Sequence, residues 1–186
     1  MWKKLSPFKR FLIILISIPL GLLLIFKLFT NDKYLQIKRN EEVKNLEIVI
    51  PLLRKNKVTV YRFQEKCKVL EYNDVSYAYV DPEWTSKETC TYPLNNEPVE
   101  FDEKANNLLV EIKEALKETG IDIYLIDHIS YTEGQISKAN FNKSGFGRYR
   151  YMYESGRAIT QYTTDNSNFW NYPINKDWYF QIEDWN

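Results

Sequence analysis

One uncharged, apolar run near the N-terminus constrains this chain more than any other feature. Residues 11–26 read FLIILISIPLGLLLIF, and Leu28 and Phe29 extend the apolar segment past Lys27 to nineteen residues, 11–29. A helix of that length, at about 1.5 Å per residue, nearly matches a hydrocarbon core of about 30 Å, because the Lys27 side chain can reach the interface. We therefore predict a transmembrane helix through residues 11–29.

The flanks of the run predict that the span is retained and how it is oriented. A cleaved secretory signal has a shorter apolar core and a small-residue site after it, whereas this run ends in IFKLF. Cationic residues precede the run at Lys3, Lys4, Lys9 and Arg10, and fewer follow it closely. By the positive-inside rule, the N-terminus is expected in the cytoplasm and the C-terminal domain outside the cell membrane.

The charge of the remaining chain argues against nucleic acid as a partner. The first thirty residues hold five of the 25 Lys and Arg and none of the 25 Asp and Glu, so the rest carries 20 − 25 = −5. An acidic domain repels phosphate backbones. The stretch KSGFGRYRYMY, residues 143–153, resembles an RNA-binding strand motif, but Arg148 stands where that motif needs an aromatic residue.

The pattern after residue 30 predicts a polar tether, residues 31–40, and then one domain, residues 41–186. A short helix is expected to end near Ile50 because Pro51 follows, and a second, amphipathic helix runs from Phe101 to Gly120 with Asp102 as its N-cap. Alternating patterns predict short strands at 58–63, 67–72, 75–80, 121–130, 135–141, 148–153, 158–163 and 178–182. The predicted class is α+β, an antiparallel sheet with one or two helices packed on it.

The strand at 148–153 is predicted to form a hairpin with the residues after a Ser155-Gly156 turn. Tyr149, Tyr151, Tyr153 and Tyr162 would share one face, with Arg150 and Gln161 on the other. The tyrosines form either a core face or an exposed binding face for a glycan or a protein. We predict that the tyrosines form a core face, so that the side with Arg150 and Gln161 is the surface that faces solvent or a partner.

Two cysteines, Cys67 and Cys90, are predicted to form a disulfide, since an even pair outside the cytoplasm is typical of one. The bridge would tie the loop after the third strand back to the sheet. A structural zinc site is not expected, because the chain has a single histidine and no C-x-x-C spacing. No cofactor is predicted either.

Motifs for catalysis are missing from the sequence, and no catalytic residue is assigned. His128 is the only histidine, and Asp127 cannot orient it in a regular strand because adjacent side chains point to opposite faces. The C-terminal segment is rich in aromatic residues. Its Trp170 and Trp178 are candidate binding residues or, alternatively, part of a strand that closes the core.

These observations predict a single-pass, membrane-anchored domain that binds a protein or cell-envelope component and does not catalyse a reaction. The alternative is a cell-envelope hydrolase that uses acidic residues on a glycan, because a glycosidase needs only two carboxylates at the right separation. Loop acids such as Asp74, Asp81 and Glu83 are the candidates for that chemistry.

Overall fold

The computed structural model describes residues 32–84, 90, 94, 96–145, 148–156, 163–165 and 169–183. The chain divides into two compact units, residues 1–39 and residues 40–186. The predicted span at 11–29 lies outside the described residues. In the described part of the chain, no helix has the length and apolar character needed to cross a membrane.

The described residues form helices and strands, and all of them from residue 40 onward belong to the second unit, which has an α+β architecture. The helices are α1 (Asp32–Leu46), α2 (Val49–Lys55) and α3 (Glu103–Glu118). The strands are β1 (Val58–Gln64), β2 (Cys67–Tyr72), β3 (Val75–Val80), β4 (Ile123–Thr132), β5 (Gln135–Lys143), β6 (Arg148–Glu154), β7 (Thr163–Asp165), β8 (Phe169–Pro173) and β9 (Trp178–Glu183).

All the strands belong to one antiparallel sheet, with the order β3-β2-β1-β4-β5-β6-β9-β8-β7. The predicted α+β class, with helices on an antiparallel sheet, is therefore confirmed. The β3 edge is partly covered by a parallel bridge between Tyr77 and Val99.

The first two helices differ from the sequence prediction. The segment 31–40, expected as a tether, is helical from Asp32 onward, and no Gly or Pro interrupts it. The helix break falls at Glu47 and Ile48, and Pro51 lies in the first turn of α2. Proline is tolerated there because the first N–H groups of a helix have no partner within the helix.

α3 forms as its sequence predicts. The Asp102 carboxylate accepts a hydrogen bond from the Ala105 N–H at 2.7 Å, which satisfies one donor of the first turn. Gly120 follows the helix with φ +70°, a conformation that favours glycine. The apolar face of the helix is buried at Ala105, Leu108, Leu109, Ile112 and Leu116.

The helices pack on one face of the sheet. Directly paired residues of adjacent antiparallel strands lie on the same face, so the strand pairing defines rows across the sheet. The central row of this face is apolar and aromatic, and consists of Tyr77, Leu70, Tyr61, Ile126, Phe141, Tyr151, Phe180 and Tyr172. These residues and the buried sides of the helices form one core.

The tyrosines of β6 lie on this core face. Tyr151 is 1% exposed and packs against Phe180 at 5.0 Å between ring centroids. Tyr149 and Tyr153 are half-buried beside it. The core interpretation is thus confirmed for Tyr151, whereas Tyr162 lies outside the described residues.

The predicted hairpin partner of β6 is wrong. β6 pairs with β5 on one side and with β9 on the other, so both of its edges are occupied. Tyr151 stands opposite Phe141 in β5 and opposite Phe180 in β9. The prediction failed because β9 has an aromatic alternation that also pairs well with β6. Proximity in the sequence does not show which of two such strands will pair with it.

The opposite face carries the disulfide. Cys67 and Cys90 are bonded, as predicted, and both are fully buried with Val60 and Val69. Leu125 packs against this cluster too, although strict alternation along a strand would put it on the same face as Ile123. A register shift in β4 between Ile123 and Leu125 changes the alternation and explains the difference.

Candidate functional site

A row of polar side chains crosses one half of the sheet on the face opposite the helices. Asn142 stands opposite Arg150, Arg150 opposite Gln181, and Gln181 opposite Asn171. We call these four residues the polar row. All four are half-buried, and the Gln181 amide donates to the Asn171 side-chain oxygen at 2.7 Å. The row therefore offers amide groups and one guanidinium that a partner can reach.

Arg150 is held in place on two sides. Its guanidinium carbon lies 4.9 Å from the centroid of the Phe169 ring, within the range of a cation–π contact. One terminal nitrogen lies 3.9 Å from a Glu183 carboxylate oxygen, and the same carboxylate accepts from Arg148 at 2.8 Å. The Arg150 Nε is buried and has no hydrogen-bond partner among the described groups. The side chain is thus oriented while one donor remains unused.

A second, buried row lies beside the polar row. Asp127 stands opposite Asn140, and Asn140 opposite Met152. Asp127 is 8% exposed and Asn140 is 3% exposed. In the described ranges, the Oδ1 atoms of both side chains lack a hydrogen-bond partner. Buried oxygens of this kind normally have a partner, because each one left without a hydrogen bond costs about 1–3 kcal/mol.

Burial controls the ionisation of Asp127. It raises the pKa of the Asp127 carboxyl above its ordinary value, since the charged form loses its hydration. His128, the amides of Asn142 and Asn140, and the Arg150 guanidinium act in the opposite direction without cancelling the shift. The carboxyl is therefore poised to hold its proton more tightly than an exposed aspartate does.

The β4 bulge places His128 next to this site. His128 has φ +50°, a left-handed conformation that is uncommon outside glycine, and the strand register shifts between Asp127 and Ser130. The side chain is exposed. The expectation that Asp127 and His128 point to opposite faces assumed a regular strand, and this bulge removes that assumption.

The residues proposed from sequence do not form one cluster. Trp170 stands opposite Ile182, and Ile182 opposite Tyr149, which puts Trp170 on the face that the helices cover. It is 40% exposed. Arg150 lies on the other face of the sheet, and Gln161 lies outside the described residues.

Trp178 belongs to the core. It is 1% exposed and packs against Phe141 and Tyr153. Its indole N–H has no partner among the groups that the structure describes. A surface partner cannot reach this ring, so Trp178 is not part of the binding face.

The loop acids considered for hydrolysis do not join the site either. Asp74 is exposed, and the Asp81 carboxylate accepts a hydrogen bond from the Glu83 N–H within its own turn.

Sequence reasoning missed most of the polar row. A signal was present in β5, where Asn140 and Asn142 flank the buried Phe141. Residues two apart share a face, so two asparagines on the side opposite a core phenylalanine indicate a polar surface. The same signal was present in β9, where Gln181 lies between Phe180 and Ile182.

No family model, no curated protein and no solved structure matches this chain.

Proposed function

We propose that this chain is a single-pass, membrane-anchored domain that binds a protein or cell-envelope component outside the membrane, without catalysing a reaction. The apolar run at 11–29 and the cationic residues before it support the anchor and its orientation. The net charge of −5 after residue 30 disfavours nucleic acid as the partner.

The observation that carries the binding proposal is the setting of Arg150. Arginine is enriched among the residues that dominate binding energy, because its planar group makes several directed hydrogen bonds. Here the group is already oriented by Phe169 and Glu183, so the Arg150 side chain loses little conformational entropy when a partner binds. The amides of Asn142 and Gln181 extend the same surface on either side of it.

A second candidate function is hydrolysis of a glycan, and the observation that favours it is Asp127. A carboxyl whose pKa is raised by burial can serve as a general acid. Glu154 and Glu183, on the same face, are each engaged in an ion pair, with Lys138 and Arg148 respectively. Glycan cleavage by the full chain, lost in Asp127→Asn, would replace the binding proposal with this one.

The anchor is tested by reporter fusions. A reporter at Asn186 that works only outside the cytoplasm should be active, and the mature protein should keep its first residues. Activity of a cytoplasmic reporter at that position, or a mature N-terminus near Thr30, would contradict the proposed topology.

The binding face is tested with the full chain in detergent, immobilised and exposed to solubilised envelope material. Arg150→Ala should abolish retention of the partner. Arg148→Ala is the matched control, because Arg148 lies on the same strand and face but is more exposed. Both variants must first keep the melting temperature of the wild type to within a few degrees, and equal retention by both would contradict the proposed face.

A further inference from the structure

We infer that an open cleft between α3 and the strands β1 and β4 binds a small organic acid, a single carboxylate on an apolar body. The cleft lies on the face of the sheet that the helices cover, whereas the polar row lies on the opposite face. This second site is therefore independent of the proposed binding face.

The cleft has the size and the lining of a small-molecule site. Its volume is about 420 Å³, and such sites commonly measure about 300–1,000 Å³. Its apolar lining includes Phe63 of β1, Leu116 of α3, Ile121 and Ile123. Phe63 is half-buried and offers the accessible apolar surface, while the other three form a buried floor. An apolar group placed in the cleft would thus cover the Phe63 ring from water.

Lys113 places a positive charge directly beside that ring. Its ammonium lies 4.6 Å from the centroid of the Phe63 ring, within the range of a cation–π contact. A Glu114 carboxylate oxygen lies 4.0 Å from the same ammonium, which is beyond hydrogen-bonding distance. The Lys113 side chain is 44% exposed. The ammonium is thus positioned by the ring, and its N–H groups can reach a ligand.

The charges around the cleft determine the sign and the size of the ligand's charge. Lys117 also lines the cleft, and the Lys68 ammonium lies 5.6 Å from the Phe63 ring centroid. Against these lysines, Glu114 pairs with Lys117 at 3.5 Å, and Asp122 belongs to the lining.

These three lysines, with Lys113 among them, and two carboxylates leave a net charge of +1. An organic cation would be repelled, and a phosphate dianion would exceed this charge, whereas one carboxylate matches it. Because the apolar ring lies next to the ammonium, the rest of the ligand must be apolar to gain from burial.

Methyl NMR of the full chain in a zwitterionic detergent tests the inference, with the isoleucine methyl groups labelled. Ile121 and Ile123 report on the cleft, and Ile182 in β9, four strands from β1, reports on nonspecific effects. The probes share one body and differ in charge: phenylpropionate, phenylpropanol and phenylpropylamine. We expect phenylpropionate to shift the two cleft signals with a dissociation constant of about 4 mM or below. The alcohol and the amine should bind about fivefold more weakly.

Lys113→Met is the informative variant, because it removes the charge and keeps an unbranched apolar stem. We expect it to weaken phenylpropionate binding by about fivefold, the upper end for a partly exposed ion pair. Lys104→Met is the matched control, since Lys104 lies in the first turn of the same helix, 5.9 Å from the Tyr72 ring centroid, away from the cleft. It should change the affinity less than about twofold.

Lys113→Glu separates a ligand contact from a merely structural role. It changes the net charge around the cleft from positive to negative, so phenylpropylamine should become the probe that binds best. Loss of the contact with Phe63 alone would weaken all three probes and could not reverse their order.

The contradicting outcomes are specific. Equal affinities for the three probes, equal effects of Lys113→Met and Lys104→Met, or an unchanged order in Lys113→Glu would overturn the carboxylate. A cleft whose Ile121 and Ile123 signals show no saturable shift with phenylpropionate would overturn the site itself. None of these measurements involves Arg150, so the proposed binding function stands or falls separately.

Discussion

The guanidinium carbon of Arg150 lies 4.9 Å from the centroid of the Phe169 ring, although β9 separates the two strands that carry these residues. The Arg150 side chain therefore reaches across its neighbour Gln181 to the second strand beyond β6. This contact connects the candidate site to β8 and fixes the plane of the guanidinium.

A double-mutant cycle on this pair should show energetic coupling. Arg150→Met and Phe169→Leu each remove the contact while keeping a similar volume, because methionine carries no charge and leucine no aromatic ring. We expect a coupling free energy of about 0.5–1 kcal/mol from denaturant unfolding, the size found for partly exposed cation–π pairs. The pair Arg148 and Phe169 serves as the control cycle. Additive effects for Arg150 and Phe169 would show that the contact is not made in solution.

Truncation of Tyr151 should be strongly destabilising. Its ring is buried between Phe141 and Phe180, and its hydroxyl donates to the Glu42 carboxylate. We expect Tyr151→Ala to lower the free energy of unfolding by about 3 kcal/mol or more, because a buried aromatic ring leaves a cavity. Tyr79→Ala is the control, since Tyr79 is exposed, and it should cost little. A Tyr151→Ala protein that melts like the wild type would contradict the core assignment.

Asp127 should make the stability of the domain depend on pH. Its folded pKa is raised, so the folded state binds the proton more tightly than the unfolded chain, whose Asp pKa is about 3.9. The stabilising contribution of the protonated carboxyl is present below that pH and is lost as the pH rises through the folded pKa. Asp127→Asn keeps the neutral form at every pH, so its stability relative to the wild type should increase as the pH rises.

Urea unfolding of both proteins at several values from about pH 4 to about pH 7 measures this difference. Asp122→Asn is the control, because Asp122 is exposed and the substitution changes the net charge by the same amount. A constant difference between Asp127→Asn and the wild type across the range would refute the raised pKa.

The left-handed conformation of His128 predicts which substitutions this position accepts. His128→Val should cost about 1–2 kcal/mol, because a β-branched side chain is strained at φ +50°. His128→Asn should be close to neutral, since asparagine tolerates that region. Thermal unfolding distinguishes the two. Similar melting temperatures for both variants would indicate that the bulge is not formed.

The disulfide should contribute measurable stability. Replacing Cys67 and Cys90 by alanine is expected to lower the unfolding free energy by roughly 3 kcal/mol in the chain-entropy model for a loop of this size. A reducing agent should produce the same loss in the wild type and no loss in the variant. Labelling of denatured, non-reduced protein should detect no thiols; two reactive thiols per chain would show that the bridge is absent.

Local sequence patterns were enough to predict the elements that have a strong hydrophobic periodicity. The capped amphipathic helix α3, the strands β2 and β3, and the Cys67–Cys90 bridge followed from spacing, capping and cysteine count. These features depend on residues close in sequence or on a pair with no competing partner. The membrane span at 11–29 and its orientation are also predicted from local composition, and they remain predictions.

The sequence by itself determined that Tyr151 and Arg150 lie on opposite faces of one strand, since alternation requires it. That the tyrosine side is the core was a prediction, and the burial of Tyr151 confirmed it. Only the tertiary structure decided what lies beside them. Strand pairing put Gln181 next to Arg150, and the register shift between Ile123 and Leu125 put these two residues on opposite faces of the sheet. The physical reason is that hydrogen bonding between strands depends on which strand edges meet in space. The aromatic strands of this chain have similar local sequence patterns, so the packing of the whole sheet selects which of them pair.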